Sequence, residues 1–197
     1  PEMRWVDGRS GVVTGGTQGL GAAIALQRAQ SGAAGLVTCG RSREKGEAVA
    51  QRITAATGCP VQFVVADLES VADCRAVVAA AETTFHRVDM LVNAAGLTDR
   101  GDILSTDETL FNRMFAVNTR APFFLMQEVI RRMVRDGIKG AIVNIGSISG
   151  FAGQPFISPY CASKGALSTL TRNTAFATLR NQIRVNQLDI GWMASDG

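Results

Sequence analysis

The chain has 197 residues, a formal net charge of +3, 46% hydrophobic residues, four cysteines and one histidine. That length suffices for one domain with a sizeable core. No apolar run is long enough to cross a bilayer, no signal-peptide pattern opens the chain, and the small, scattered positive charge argues against nucleic acid.

Short β-rich apolar runs alternate with longer amphipathic stretches. The runs are 11–14, 36–39, 61–65, 90–92, 141–145 and 183–186; helical patterns fall near 19–31, 43–57, 70–85, 106–135 and 158–180. Near-continuously apolar strands alternating with helices predict an α/β fold: a single doubly wound Rossmann-type parallel sheet with helices on both faces. Neither a linker nor a repeat interrupts residues 1–197, which read as one domain.

The first run leads into Thr14-Gly15-Gly16-Thr17-Gln18-Gly19-Leu20-Gly21 and then a helix. Glycines let the backbone turn tightly against a pyrophosphate, and the helix N-terminus offers free N–H groups and a partial positive charge. Gly15, Thr17, Gln18, Gly19 and Leu20 are therefore candidate cofactor contacts. The second run ends at Gly40-Arg41-Ser42, where an NAD-selective site would carry an acid against the ribose hydroxyls. A guanidinium there, Arg41, pairs with a 2′-phosphate instead, which favours NADP(H) over NAD(H), with Ser42 beside it. Asp67-Leu68 closes the third run; Asp67 either accepts from the adenine amino group or caps the next helix. Asn93-Ala94-Ala95-Gly96 closes the fourth, again at the carboxyl edge where such sheets bind ligands.

The fourth helix opens on Ser105-Thr106-Asp107-Glu108, a capping-box spacing from Ser105 to Glu108. Pro122 lies inside this helix and removes the N–H that would bond the carbonyl of Asn118. A freed carbonyl can hold a water and serve a proton relay, or the proline only bends the helix for packing. Arg131, Arg132 and Arg135 on the same helix are expected to form a solvated face.

The fifth run carries Ser147 at its tip, where a hydroxyl points into the cleft and can bond a substrate oxygen. Thirteen residues on, Tyr160 and Lys164 stand four apart, on one face of a helix. A free phenol titrates near ~10, and a neighbouring ammonium favours the phenolate, so such a tyrosine can exchange a proton with a carbonyl oxygen. Cys39, Cys59, Cys74 and Cys161 lack a Cys-x-x-Cys spacing and fit reduced thiols in the cytoplasm. His86 sits in a polar segment as a surface histidine, so neither a metal site nor a Ser-His-Asp triad is expected.

The glycine pattern, Asn93-Ala94-Ala95-Gly96, Asn118, Ser147, Tyr160 and Lys164 together resemble the short-chain dehydrogenases/reductases, in order and spacing, over nearly the whole chain. The resemblance implies a catalytic tetrad. Tyr160 is the acid/base, and Lys164 lowers its pKa and holds the nicotinamide ribose. Ser147 orients the substrate oxygen, and Asn118 maintains the site and a relay water. It also implies a homotetramer or homodimer packed through the helices at 106–135 and 158–180, with Phe123, Phe124 and Leu167 compatible with that interface or with an internal core.

The chain departs from the family after the sixth strand, where Ile190 replaces the usual proline; Ile190 is still expected to touch the cofactor. Ser195 stands near the family's threonine, and Ala94 replaces a second asparagine. Position 1 is proline, where an initiator region is expected to be missing or processed, and the chain ends at Gly197 before the family's usual substrate loop, helix and seventh strand. Leu97, Ser149, Phe151, Gln154, Phe156, Trp192 and Met193 are expected to edge the substrate pocket. The expected activity is hydride transfer between NADP(H) and a ketone or secondary alcohol, such as a polyol or sugar. The alternatives are a 3-oxoacyl thioester reductase and, outside enzymes, a nucleotide-sensing or scaffold protein with a vestigial site.

Overall fold

The computed structural model describes residues 6–193. Six strands form one parallel sheet: β1 (Ser10–Thr14), β2 (Gly35–Gly40), β3 (Val61–Val65), β4 (Met90–Asn93), β5 (Ala141–Ser147) and β6 (Arg184–Ile190). Their spatial order is β3-β2-β1-β4-β5-β6. The order reverses between β1 and β4, and at that switch point the loops above the two strands diverge and leave a crevice.

Alternation along each strand sends side chains to opposite faces. In β1, Val12 packs with α3 (Val71–Phe85), α5 (Ala121–Arg135) and α7 (Ser158–Ala177). Its neighbour Val13 packs with α1 (Gly19–Gln30) and α2 (Arg43–Thr57). Both valines are fully buried, as are Leu36, Val37, Leu91 and Ile142 on the adjoining strands. Among the described residues, no helix is long and apolar enough to cross a membrane.

The fourth helical stretch differs from its sequence pattern. It forms α4 (Glu108–Phe115), a π-helical turn over Ala116–Arg120, and α5. The Ala121 N–H bonds the carbonyl of Ala116, five residues back. Pro122 cannot supply the next α-helical donor, and the wider turn accommodates that missing bond. The cap also differs: Asp107 accepts from the Leu110 N–H at 2.7 Å, whereas the Ser105 hydroxyl accepts from the Asp102 N–H at 3.2 Å. Asp102 organises that turn through its bonds to Leu104 and Ser105, so the helix starts later than the capping-box reading places it.

The three arginines of α5 are not a plain solvated face. Arg132, only 16% exposed, bridges Glu82 of α3 at 2.7 Å and Glu128 at 2.9 Å, and Arg135 also reaches Glu82. Leu167 is buried inside the chain, while Phe123 of α5 is 44% exposed. His86 is exposed and closes α3 in the left-handed conformation at φ 59°. A short helix, α6 (Ser149–Ala152), follows β5 and had no counterpart in the sequence pattern.

Candidate active site

The glycine loop is shaped by close approach. Gly15 has φ +70°, and a Cβ there would lie 3.0 Å from the Ala95 backbone. A Cβ on Gly21 would come within 2.2 Å of the Gly15 carbonyl oxygen, so the first turn of α1 sits directly on the loop. Thr14 ties the loop to the next one: its hydroxyl accepts from the N–H groups of Ala94 and Ala95, each at 3.1 Å. No side chain caps the start of α1. Its first-turn N–H groups therefore remain available to an anion, reinforced by the helix dipole.

Above this loop lies a cleft of about 320 Å³. Gly15, Thr17, Gln18, Gly19 and Leu20 line it over the glycine loop, with Ala94 and Gly96 from the loop after β4. Arg41, Asp67 and Leu68 line the remote end. The narrow glycine cradle and uncapped helix fit the pyrophosphate of a dinucleotide. A side chain at Gly40 would meet the Thr17 methyl at 2.6 Å, so an acid there would require Thr17 to move. Arg41 is exposed and makes no hydrogen bond or ion pair among the described residues. Asp67 does not cap α3; Ser70 does, and Asp67 instead accepts from the Glu69 N–H at 3.0 Å.

Five expected cofactor residues do not line this cleft: Tyr160 and Ile190 line a second cavity, Lys164 is buried one turn beyond Tyr160, and Ser42 and Asn93 stand elsewhere. Ser42 is the cap of α2, accepting from Lys45 N–H, and does not line the cleft. Asn93 is buried and turned beneath the sheet, where its amide donates to Asn144 Oδ1 at 2.8 Å. The parallel register that pairs Asn93 with Asn144 explains this, because same-face neighbours on adjacent strands meet. Glu69 and Val117 line the cleft without having been singled out by the sequence, since their loop and π-turn positions carry no motif. Cys39 also lines it, but burial pushes its thiol up to about 12, so it is no nucleophile at neutral pH.

Ser147, at the carboxyl tip of β5, and Tyr160, in the first turn of α7, line a second cavity of about 540 Å³. Ser147 is oriented by the Ser149 N–H, which donates to its hydroxyl at 3.2 Å. Lys164 is buried one turn beyond Tyr160, with Nζ 5.7 Å from the phenol ring centre and donating to the Ile145 carbonyl at 2.7 Å. Burial lowers its pKa to about 8, and the charge of Asp189 opposes that shift. Asn118 lies in the π turn, fully enclosed. Its amide accepts from Leu97 N–H at 2.8 Å and donates to the Leu97 carbonyl at 2.9 Å and to Ser163 at 3.0 Å. It thereby clamps the loop after β4 to α7.

Of the expected substrate edge, Ser149, Gln154, Phe156, Trp192 and Met193 line the second cavity, together with Ile190. Leu97 faces the first cleft, and Phe151 lines neither, being 65% exposed. Thr98 and Arg100 join this wall from a loop that carries no catalytic motif. Ser195 lies outside the described residues.

The short chain dehydrogenase family model matches residues 10–197. A sorbitol dehydrogenase of Cereibacter sphaeroides is 32% identical over 186 residues, covering 94% of this chain and 71% of that protein. A 3-oxoacyl-(acyl-carrier-protein) reductase of Staphylococcus aureus is 32% identical over 190 residues, covering 95% of this chain and 76% of that protein. The solved structure of an NAD+-bound xylitol dehydrogenase matches with a TM-score of 0.91 and 28% identity, over 96% of this chain and 72% of that one.

Proposed function

The chain belongs to the short-chain dehydrogenase family, and from that premise we propose an NADP(H)-dependent oxidoreductase that interconverts a secondary alcohol and its ketone, with Tyr160 exchanging the proton. The enzyme class, an NAD(P)-dependent dehydrogenase acting on CH–OH groups, follows from the family itself. Relatives named for sorbitol and for 3-oxoacyl groups bound the substrate range. The secondary alcohol belongs to a polyhydroxylated chain of the polyol or sugar kind. Apolar side chains left open on α5, Phe123 among them, support self-association as a dimer or tetramer.

One observation carries the catalytic reading: Ser147 and Tyr160 line a single cavity, with the buried ammonium of Lys164 directly behind the phenol. When bound, the dinucleotide supplies or accepts the hydride. Arg41 would hold a 2′-phosphate, and the uncapped N-terminus of α1 would hold the pyrophosphate. In the oxidative direction the Tyr160 oxygen takes the hydroxyl proton as the carbinol carbon loses hydride; in reduction the same oxygen returns it. Ser147 donates to the substrate oxygen as charge develops there. Lys164 holds positive charge beside both, and Asn118 fixes the loop that roofs the site.

The test is cofactor binding by protein fluorescence together with turnover. NADPH is expected to bind more tightly than NADH, and Arg41→Ala to remove that preference. Tyr160→Phe is expected to retain dinucleotide binding while turnover falls by about 10²–10⁴-fold. Equal binding of NADH by the wild-type chain rejects the NADP(H) assignment, and undiminished turnover in Tyr160→Phe rejects the proton role.

A further inference from the structure

The wall of the second cavity is asymmetric in charge. Ser147 and Tyr160 stand on one side, Trp192 and Phe156 form an apolar rim, and Arg100 enters from the loop after β4. No aspartate or glutamate lines this cavity among the described residues, and Arg100 is its one cationic lining side chain. Arg100 has no hydrogen-bond or ion-pair partner among them. Its neighbour Asp99 is engaged elsewhere, 3.8 Å from Arg113.

The backbone that carries Arg100 is anchored. The Gly101 N–H donates to the Phe156 carbonyl at 3.0 Å, and the Ser158 N–H donates to the Gly101 carbonyl at 2.9 Å. These two bonds splice the Arg100 loop to the segment that opens α7, two residues before Tyr160. Gly101 is buried so closely that a Cβ would sit 2.6 Å from Thr106 Oγ1 and 2.8 Å from Leu110. The backbone next to the exposed Arg100 is thus fixed, and its guanidinium, without a partner among the described residues, lines the same cavity as Ser147 and Tyr160, beside the exposed side chains of Phe156 and Trp192. A guanidinium attracts an anion by charge, and a group that matches its planar fork binds best.

We propose that the substrate is a hydroxy acid, or the corresponding oxo acid, whose carboxylate pairs with Arg100 while its reacting oxygen meets Ser147 and Tyr160. This rests on the hydride-transfer reading above and names its substrate class. A carboxylate fits better than a phosphate. A single guanidinium satisfies a monoanion in bidentate fashion, and among the described residues this wall adds no second cationic side chain for a dianion. The redox balance is that of any secondary alcohol: the carbinol carbon gives one hydride, with its two electrons, to the oxidised nicotinamide, the hydroxyl gives its proton to Tyr160, and the carboxylate is unchanged.

The experiment compares matched acids and polyols of three to six carbons, from glycerate against glycerol to gluconate against sorbitol, with inorganic phosphate as a third ligand. Binding is read from tryptophan fluorescence, since Trp192 lines the cavity, and turnover is read in parallel. At least one acid is expected to bind about tenfold or more tightly than its polyol. Arg100→Ala is expected to erase that advantage, and Arg100→Lys to keep part of it. Rising salt is expected to weaken the acid selectively. Equal binding of every pair, binding of neither member of any pair, an advantage that survives Arg100→Ala, or phosphate bound more tightly than every acid overturns the proposal. Repeating the titrations with Tyr160→Phe separates the two readings. A carboxylate preference without turnover in the wild-type chain sinks the hydride-transfer reading alone, and turnover of polyols only sinks the carboxylate assignment alone.

Discussion

At the scale of single residues, the buried ammonium of Lys164 is the most consequential charge in the site. Burial lowers its pKa from 10.5 to about 8, and Asp189 on β6 pulls the other way. Asp189 lies over Gly146 of the neighbouring strand, where a Cβ would meet its Oδ1, and it accepts from the Gln187 amide at 2.6 Å. Because the folded chain releases this proton earlier than the unfolded one, the lysine's contribution to stability is full above 10.5 and is lost as pH falls to about 8. On the proposed mechanism activity runs in the opposite sense, since the proton exchange at Tyr160 relies on the charged form. The pH profile of kcat/KM is expected to decline on the alkaline side as pH passes about 8. Asp189→Asn is expected to move that limb to lower pH, because it removes the charge that favours the ammonium. An unmoved limb means that another group titrates there.

At the scale of elements, helix starts and the π turn decide where side chains point. Asp107 caps α4 with a 2.7 Å bond to the Leu110 N–H. Replacing it with alanine leaves that donor without its partner and is expected to cost about 1 kcal/mol in urea unfolding. Ser105→Ala is expected to cost less, since Ser105 bonds only within the exposed turn before the helix; the reverse ranking would restore the capping-box start. The π turn that follows brings Asn118 against both Leu97 and Ser163. A continuous α-helix would rotate the residues after the turn relative to those before it, and the clamp between the β4 loop and α7 depends on that phase.

At the scale of the whole molecule, α3 and α5 are joined by a charged seam. Glu82 meets both Arg132 and Arg135 at 2.7 Å. Hydrogen bonds from Arg135 and then Arg132 hold its carboxyl below the ordinary value of 4.5. The folded chain binds this proton less tightly than the unfolded chain does. The seam therefore stabilises the fold above pH 4.5, and that contribution is lost as pH falls through the lowered folded value. Glu82→Gln is expected to lower Tm at neutral pH and to flatten the decline of Tm with acidification below 4.5. An unchanged Tm at neutral pH would make the seam a surface arrangement with no net effect, as many exposed ion pairs are.

Much of this protein was legible before any coordinates, for local reasons. Strand and helix periods, the glycine loop and the Tyr160–Lys164 spacing are properties of contiguous residues, and a parallel doubly wound sheet brings such segments to one edge by rule. Ser147, Tyr160 and Lys164 are readable in this way and Asn118 only through the family resemblance; Ser147 and Tyr160 line one cavity, Lys164 lies behind the phenol, and Asn118 sits in the π turn. What required the tertiary structure were relations between distant segments. Asn93 carries a motif but turns to Asn144, because strand register and face decide that contact. Ser42 serves a cap while its neighbour Arg41 has no partner among the described residues, a distinction of one residue that composition does not encode. Arg100 sits in a loop with no motif, and the two bonds of Gly101 to Phe156 and Ser158 bring it to the wall of the second cavity. Local sequence determines the type of each element through its period and its caps. Packing alone decides which side chains share a cavity, because side chains far apart along the chain meet only when their elements dock.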